Sequence, residues 1–458
     1  MKRKILAVVT SVWVIFGLAL VCRVGFALRE QKQIPRQALK TVPFLYEPGN
    51  IAFSIVTGHG FASPFHTPTG PTAWEAPIYP LMIAGFFRVF GIYTIGAFAA
   101  AVVCNILFSS AVCVPIFFAA RRVAGPAVGA GAAWLWAVFP NGVIIPFTWV
   151  WDTSLSALLG ATILWATMEL GARGRSAGLG GWEAYGLLWG FTLMVNPSFL
   201  LVMVCLFVWL IWGSLRERAS RAKAHNQELG IKSELKLRPS SKPLLAGPVL
   251  AAGVAILSCV PWTVRNWVEL KSFVPLRSNL GLELWLGNNE GFKDQWPGWL
   301  HPIDNTTERK RYAEVGEIAY MREKRSEAIE FIKTHPAWEV KWFFRRAITV
   351  WAGSGTWLRD FRDATRPLVR VALVTNVLAT IGTIAGLLIL FWRRNEWAVL
   401  VAVFVLVYPL PYYLTRPLLR YRHPVDSMVM LLCALAIAGL VRRLHAKEND
   451  AAAEVLLR

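Results

Sequence analysis

Acidic residues are scarce in this chain: 28 Asp and Glu stand against 48 Lys and Arg among 458 residues, a net charge of +20. Such an excess invites a nucleic-acid partner, but the basic residues form no single patch. Most sit at the ends of apolar runs, where the orientation bias of membrane proteins puts them, so no nucleic acid is expected. Cysteines are few as well. Cys22, Cys104, Cys113, Cys205, Cys259 and Cys433 all lie in apolar segments, and no CxxC occurs. Neither a disulfide framework nor a zinc site is expected from that placement. There is no convincing dinucleotide fingerprint or phosphate loop. No internal repeat is visible, which weighs against a repeat-built transporter.

What the chain has in excess is apolar surface. It is 55% hydrophobic and carries 22 Trp, and several apolar runs reach the ~20 residues needed to cross a ~30 Å hydrocarbon core. The first, Ile5 to Leu28, follows Met1-Lys2-Arg3-Lys4. It is too long for a cleaved signal and lacks a small-residue cleavage site, so it reads as a retained signal anchor. With the amino terminus inside, the orientation propagates through Tyr93–Ala120, Gly125–Gly142, Phe147–Gly171, the pair Trp182–Val195 and Ser198–Ser214, Leu244–Val260, Leu368–Trp392, Val399–Val407 and Met428–Val441 with their flanks. That makes about ten spans, with arginines or lysines at each inner end. Pro77 to Phe90 is apolar but short, and reads as re-entrant or interfacial. The inner loop Arg216–Lys242 holds eight Lys or Arg against three Glu and reads as an orientation signal and lipid-surface patch.

The expected organisation is all-α and polytopic. Residues 1–264 form an amino-terminal transmembrane module with a structured outer loop at 29–76, residues 265–366 form a small membrane-seated α(+β) segment outside, and residues 367–458 form the last spans and an inner tail. The stretch Phe44–Pro80 has no regular apolar period and is too aromatic to stay solvated, so it reads as a folded, functional loop. In the late segment, Trp285 to Glu290 reads as a strand end and turn. Glu308 to Lys333 reads as one charged helix, and Trp338 to Trp351 as a helix in the membrane interface. Asn305-Thr306-Thr307 fits a glycosylation sequon, a weak match.

Two carboxylates stand out by position. Glu47 opens the aromatic part of the first outer loop, and Asp152 sits at the outer end of a span. A charge near hydrocarbon is costly and tends to be functional. Either can serve as general base or as ligand to a divalent ion. Glu47 as a solvated loop acid and Asp152 as a helix N-cap are the alternatives. His59 flanks a Gly-rich turn nearby, as does His66; with Glu47 and Asp152, His59 completes a candidate metal set, while a hydrogen-bonded loop residue is the plainer reading. The short outer loop Pro411–Pro424 breaks the inside bias, carrying Arg416, Arg420 and Arg422. An anionic partner resolves that anomaly, since the guanidinium fork suits phosphate. Tyrosines beside it point to a lipid phosphate or pyrophosphate, with ordinary anionic headgroups as the alternative. Arg265, in Pro261-Trp262-Thr263-Val264-Arg265-Asn266, joins the set or simply anchors at the interface.

Glu47…Ala52…Gly58, Trp74-Glu75-Ala76-Pro77, Asp152 at the outer end of a later span, the Pro-Trp-x-x-Arg-Asn stretch and the large late outer segment together resemble the GT-C membrane glycosyltransferases. The nearest group is that of the protein O-mannosyltransferases and lipid A aminoarabinose transferases, glycosyltransferase family 39. The resemblance implies a sugar moved from a polyprenyl-phosphate donor to an extracytoplasmic hydroxyl, without nucleotide and with inversion, by a monomer among the lipids of a bacterial inner membrane. Glu47 would be the catalytic or acceptor-orienting acid where that family usually has Asp, with Asp152 as its partner. Tyr46, His59, Glu75 and Tyr79 would surround the acceptor. Arg416, Arg420, Arg422 and Arg265 would hold donor phosphate in place of a family Lys, because Ala76 occupies its position. A divalent metal is an optional cofactor. A lipid-sugar flippase is the competing class, and it would want charges buried mid-span.

Overall fold

The computed structural model describes residues 10–173, 178–228, 245–292 and 298–456. Arg175, most of the basic inner loop beyond Glu228, and the first residues of the expected anchor therefore lie outside the described residues. The long helices run in the order α1 Val12–Glu30, α2 Glu47–Val56, α3 Ile78–Phe90, α4 Ile95–Ala111, α5 Cys113–Ala124, α6 Pro126–Val138, α7 Pro140–Thr148, α8 Thr153–Arg173, α9 Leu179–Val195, α10 Leu200–Glu228, α11 Ala246–Leu270, α12 Leu280–Gly287, α13 Thr306–Val315, α14 Glu317–Thr334, α15 Pro336–Ala352, α16 Pro367–Trp392, α17 Ala398–Val407 and α18 Asp426–Leu456. Among the described residues there is no strand, only an isolated bridge between Ala62 and Pro71.

Seven helices are long and apolar enough to cross a membrane, eight if α6 and α7, bent by 44° at their junction, count as one span. The chain is a multi-pass membrane protein. Two of the expected spans fall in shorter helices: Trp182–Val195 belongs to the 17-residue α9, and Val399–Val407 to the 10-residue α17. The charges are not confined to span ends, as the sequence led us to expect. Arg23 is fully buried within α1, donating to Ser109 Oγ (2.9 Å) and to the carbonyls of Ala19 (3.0 Å) and Ala137 (3.1 Å). Its donors face fixed acceptors, which is what allows a guanidinium at that depth.

Three local expectations change in the late segment. Trp285 and its neighbours end helix α12 rather than a strand. The charged stretch is two helices, because Gly316 at φ +81° breaks it and caps α13; that backbone region favours glycine. Asn305 is the N-cap of α13, its Oδ1 accepting from the amides of Thr307 (2.8 Å) and Glu308 (3.1 Å). The helix expected at Trp338–Trp351 is present as α15, and α11 continues past the expected boundary at 264 to Leu270.

The first outer loop is folded, and its seat is built by residues far away in sequence. Glu317 at the start of α14 accepts from Thr72 Oγ1, from the Ala73 amide (2.8 Å) and from Tyr312 OH (2.5 Å). Phe65, Trp74, Tyr312 and His301 pack edge-to-face, with centroids 4.9–6.1 Å apart. Within the loop, Tyr46 is extended and α2 starts at Glu47 with Pro48 in its first turn, where a missing amide costs nothing. Gly49 lets that turn lie on the preceding chain: a Cβ there would stand 2.1 Å from the Phe44 carbonyl oxygen. Gly49→Ala should therefore destabilise the protein by roughly 1–3 kcal/mol through overpacking, read as a lower thermal midpoint in detergent. An unchanged midpoint would show that the loop yields freely.

Candidate functional site

A cavity of about 620 Å³ opens where one end of the helix bundle meets the two outer segments. Each wall is a helix end or a link. Tyr46 and Glu47 come from the start of α2, and Glu75 from the loop before α3. Trp149, Trp151 and Asp152 come from the link between α7 and α8, Arg277 and Glu283 from the region of α12, and Tyr408, Arg416, Arg420 and Tyr421 from the chain between α17 and α18. Helix ends carry the unpaired backbone groups of a bundle, so polar side chains collect there at least cost. The basic residues Arg122 and Arg173 lie in the last turns of α5 and α8, and Arg442 lies near the end of the apolar run Leu419–Ala446.

Of the residues singled out by sequence, Tyr46, Glu47, Glu75, Asp152, Arg416 and Arg420 come together on this cavity. Four do not. Arg422 points the other way, fully buried, with Nε 2.6 Å from Asp426 Oδ1 and Nη1 2.6 Å from the Trp351 carbonyl. Arg265 spends its guanidinium on the carbonyls of Thr72 and Phe61 and lies over the rings of Phe61 and Trp262, so it staples the first loop rather than facing a ligand. His59 is exposed, with Nδ1 3.0 Å from Thr57 Oγ1. Tyr79 is buried and donates to Asn105 Oδ1 (3.2 Å); Asn105 in turn donates to the Trp149 carbonyl (3.1 Å), so Tyr79 reaches the site only through two intermediaries. Arg277, Glu283 and His301 carried no signal in the sequence, because each takes its meaning from a partner far along the chain.

The charges sort into pairs. Arg277 Nη2 lies 3.1 Å from Glu75 Oε2, and its Nε donates to the Trp74 carbonyl (2.9 Å). Arg416 Nε lies 3.1 Å from Glu283 Oε2. Burial pushes the Glu283 carboxyl up, but the adjacent Arg416 more than offsets this and holds it below its usual range. Glu75 is raised, because burial outweighs the pull of Arg277. Asp152 does not cap α8 through a backbone amide; its Oδ2 accepts from Ser156 Oγ (2.9 Å), which also accepts from Asn196 Nδ2 (3.2 Å).

Arg420 differs from the other arginines of the cavity. It is buried, and among the described residues no hydrogen bond or ion pair reaches its guanidinium. Its Cζ instead lies 4.0 Å from the Trp151 ring centroid, 4.4 Å from Trp149 and 5.2 Å from Tyr421. Aromatic faces hold a guanidinium without using its donors, which leaves the fork for an anion.

Glu47 sits beside His301. The Ile303 amide donates to His301 Nδ1 (3.1 Å), which assigns the ring proton to Nε2, 3.4 Å from Glu47 Oε1. Burial, and then the nearby Arg416, push the His301 pKa down to about 3, so the ring is neutral. Burial pushes Glu47 up to about 7. A neutral imidazole 3.4 Å from a carboxyl with that pKa does not hold it as an anion.

The candidate metal set of Glu47, Asp152 and His59 does not assemble. His59 stands outside the cavity, and the described residues hold no group of three or more His, Cys, Asp or Glu suited to one ion.

No protein-family model matches the chain, and no curated protein does. Solved structures do. The oligosaccharyltransferase of Archaeoglobus fulgidus in its apo form is similar with a TM-score of 0.54 at 11% identity, covering 96% of this chain and 52% of that one. The same enzyme with Zn and sulfate gives 0.51 at 11%, covering 96% and 51%. Its complex, as AglB, with an inhibitory peptide and a dolichol-phosphate gives 0.51 at 12%, covering 96% and 52%. This chain thus spans about half the length of those structures. The helical architecture of this chain is thus the one seen in part of that oligosaccharyltransferase, a likeness of fold.

Proposed function

We propose that this protein is an integral-membrane glycosyltransferase that moves a single hexosyl or pentosyl unit from a polyprenyl-phosphate donor to a hydroxyl acceptor on a lipid, polysaccharide or protein. It works as a monomer in a bacterial inner membrane, with the cavity on the periplasmic side. The observation that carries the reading is one hollow holding both Arg420, whose guanidinium rests on aromatic rings and meets no hydrogen bond or ion pair among the described residues, and a buried carboxyl with a pKa near 7, Glu47. The lysine- and arginine-bearing helix ends opposite the cavity support its outward orientation.

In this reading Arg420 binds the donor phosphate, and Trp149 and Trp151 wall it off from water. Glu47, with the neutral His301 ring beside it, accepts the proton of the acceptor hydroxyl. The freed oxygen attacks the anomeric carbon from the face opposite the phosphate. The bond from that carbon to the phosphate oxygen breaks, its electron pair stays on the lipid phosphate, and configuration inverts. Arg420 meets the added negative charge on the leaving group, a stabilisation worth more in a shielded site than in water. Holding both reactants in one cavity supplies the rest of the advantage. Asp152 and the Glu75–Arg277 pair border the remaining polar wall, where an acceptor would be oriented.

The purified full chain in lipid nanodiscs, given a polyprenyl-phosphate sugar labelled in the sugar, should yield a labelled glycoside and a free polyprenyl phosphate. In sealed vesicles, labelled lipid appearing on the far leaflet with no glycosidic bond made would instead identify a flippase.

A further inference from the structure

We infer that a buried hydrogen-bond network outside the cavity, Asn141–Asn376–Arg422–Asp426, is the positioning device of the anion seat and fixes Arg420 against Trp149 and Trp151. The inference rests on the reading of Arg420 as the phosphate ligand. Arg420 and Arg422 lie in the four-residue helix Leu419–Arg422. That turn runs straight on through His423–Val425 into α18, so whatever ties this end of the helical run to its neighbours sets the direction in which Arg420 points.

Arg422 does so. Its Nε donates to Asp426 Oδ1 (2.6 Å), its Nη1 to the Trp351 carbonyl (2.6 Å) and its Nη2 to Asn376 Oδ1. Arg422, Asp426 and Asn376 are all fully buried. The turn is thereby tied at once to α15, α16 and α18. A buried ion pair is weak evidence for stability, since apolar side chains of similar volume often serve that end as well. Its worth here lies in register: three bonds in different directions leave the fork one position.

The same Asn376 oxygen accepts a second bond, from Asn141 Nδ2 (3.0 Å). Asn141 is on α7, whose end at Thr148 leads directly into Trp149 and Trp151. One oxygen atom thus joins the turn carrying Arg420 to the segment carrying the rings it rests on. From the other side, Asn105 holds the Trp149 carbonyl (3.1 Å). None of Asn141, Asn376, Arg422 or Asp426 lines the cavity, so they act on a ligand only through Arg420 and the two tryptophans.

The test uses the full chain in nanodiscs with three variants, Arg420→Ala, Arg422→Lys and Asn141→Ala. Lysine keeps the charge but cannot reach three acceptors in different directions, and the alanine cuts only the link to α7, so it decides the matter if the lysine variant does not fold. The probe is polyprenyl phosphate without sugar, titrated calorimetrically, followed by KM for donor and acceptor. Positioning predicts a Kd at least fivefold weaker in Arg422→Lys and Asn141→Ala, a donor KM raised in parallel, and an acceptor KM within twofold of the parent. If Arg420→Ala weakens binding while both network variants stay within twofold of the parent, the network is structural only and this inference fails alone. If donor and acceptor KM rise together, the network merely stiffens the fold and the inference fails. If Arg420→Ala itself binds as the parent does, the phosphate assignment falls and takes this inference with it.

Discussion

Glu47→Gln is expected to leave a folded protein whose transfer rate is lower by roughly 100- to 10,000-fold, the range a positioned general base contributes. The amide keeps the shape of the carboxyl that stands 3.4 Å from His301 Nε2 in the parent protein, so binding of the donor should change little. The pH dependence follows from burial. An ordinary glutamate is ionised throughout the physiological range, but burial raises Glu47 to about 7. Only the ionised carboxylate accepts a proton. Turnover should therefore climb about tenfold per pH unit below 7 and level off above it, and that limb should vanish in the Gln variant. Turnover against pH in nanodiscs measures both. A variant with the parent's rate and profile would remove Glu47 from proton transfer.

Arg420→Ala should act on the other substrate. Removing the cation from a desolvated anion site costs about 2–5 kcal/mol, or roughly 30- to several-thousand-fold in donor KM, while the acceptor KM stays near its parent value. Arg420→Lys should recover part of the loss, because a point charge restores attraction but not the planar stack on Trp149 and Trp151. Since the guanidinium is buried, added salt should weaken donor binding only modestly. Equal losses in donor and acceptor KM would argue that the side chain shapes the cavity instead of holding the phosphate.

The residues on which these two predictions turn were legible in the sequence for different reasons. Glu47 showed because acids are rare in the aromatic stretch Phe44–Pro80, which holds only Glu47 and Glu75. Arg416 and Arg420 showed because arginines in a short outer loop break the orientation bias. That signal belongs to the loop as a whole, however, and could not separate its members. Arg422 carries the same signal and faces the opposite way, into the Asp426 carboxylate, and Arg416 is committed to Glu283. His301 and Arg277 sit in a late segment with no period or motif to mark them. His59 and Tyr79 drew attention by proximity in sequence to Glu47, and proximity along a folded loop says little about direction.

The sequence by itself determined that the chain is a multi-pass helical membrane protein and which helix ends gather the polar chemistry. Hydrocarbon thickness and the need to satisfy every backbone group act on each segment separately, so they leave their mark in local composition. Only the tertiary structure decided which charges are neutralised and which face the cavity. Arg416 finds its acid 133 residues away and Arg277 its acid in the first outer loop, while Arg420 rests on aromatic rings with no ion pair among the described residues. Pairing of that kind depends on distances between segments, and no spacing along a single segment records it.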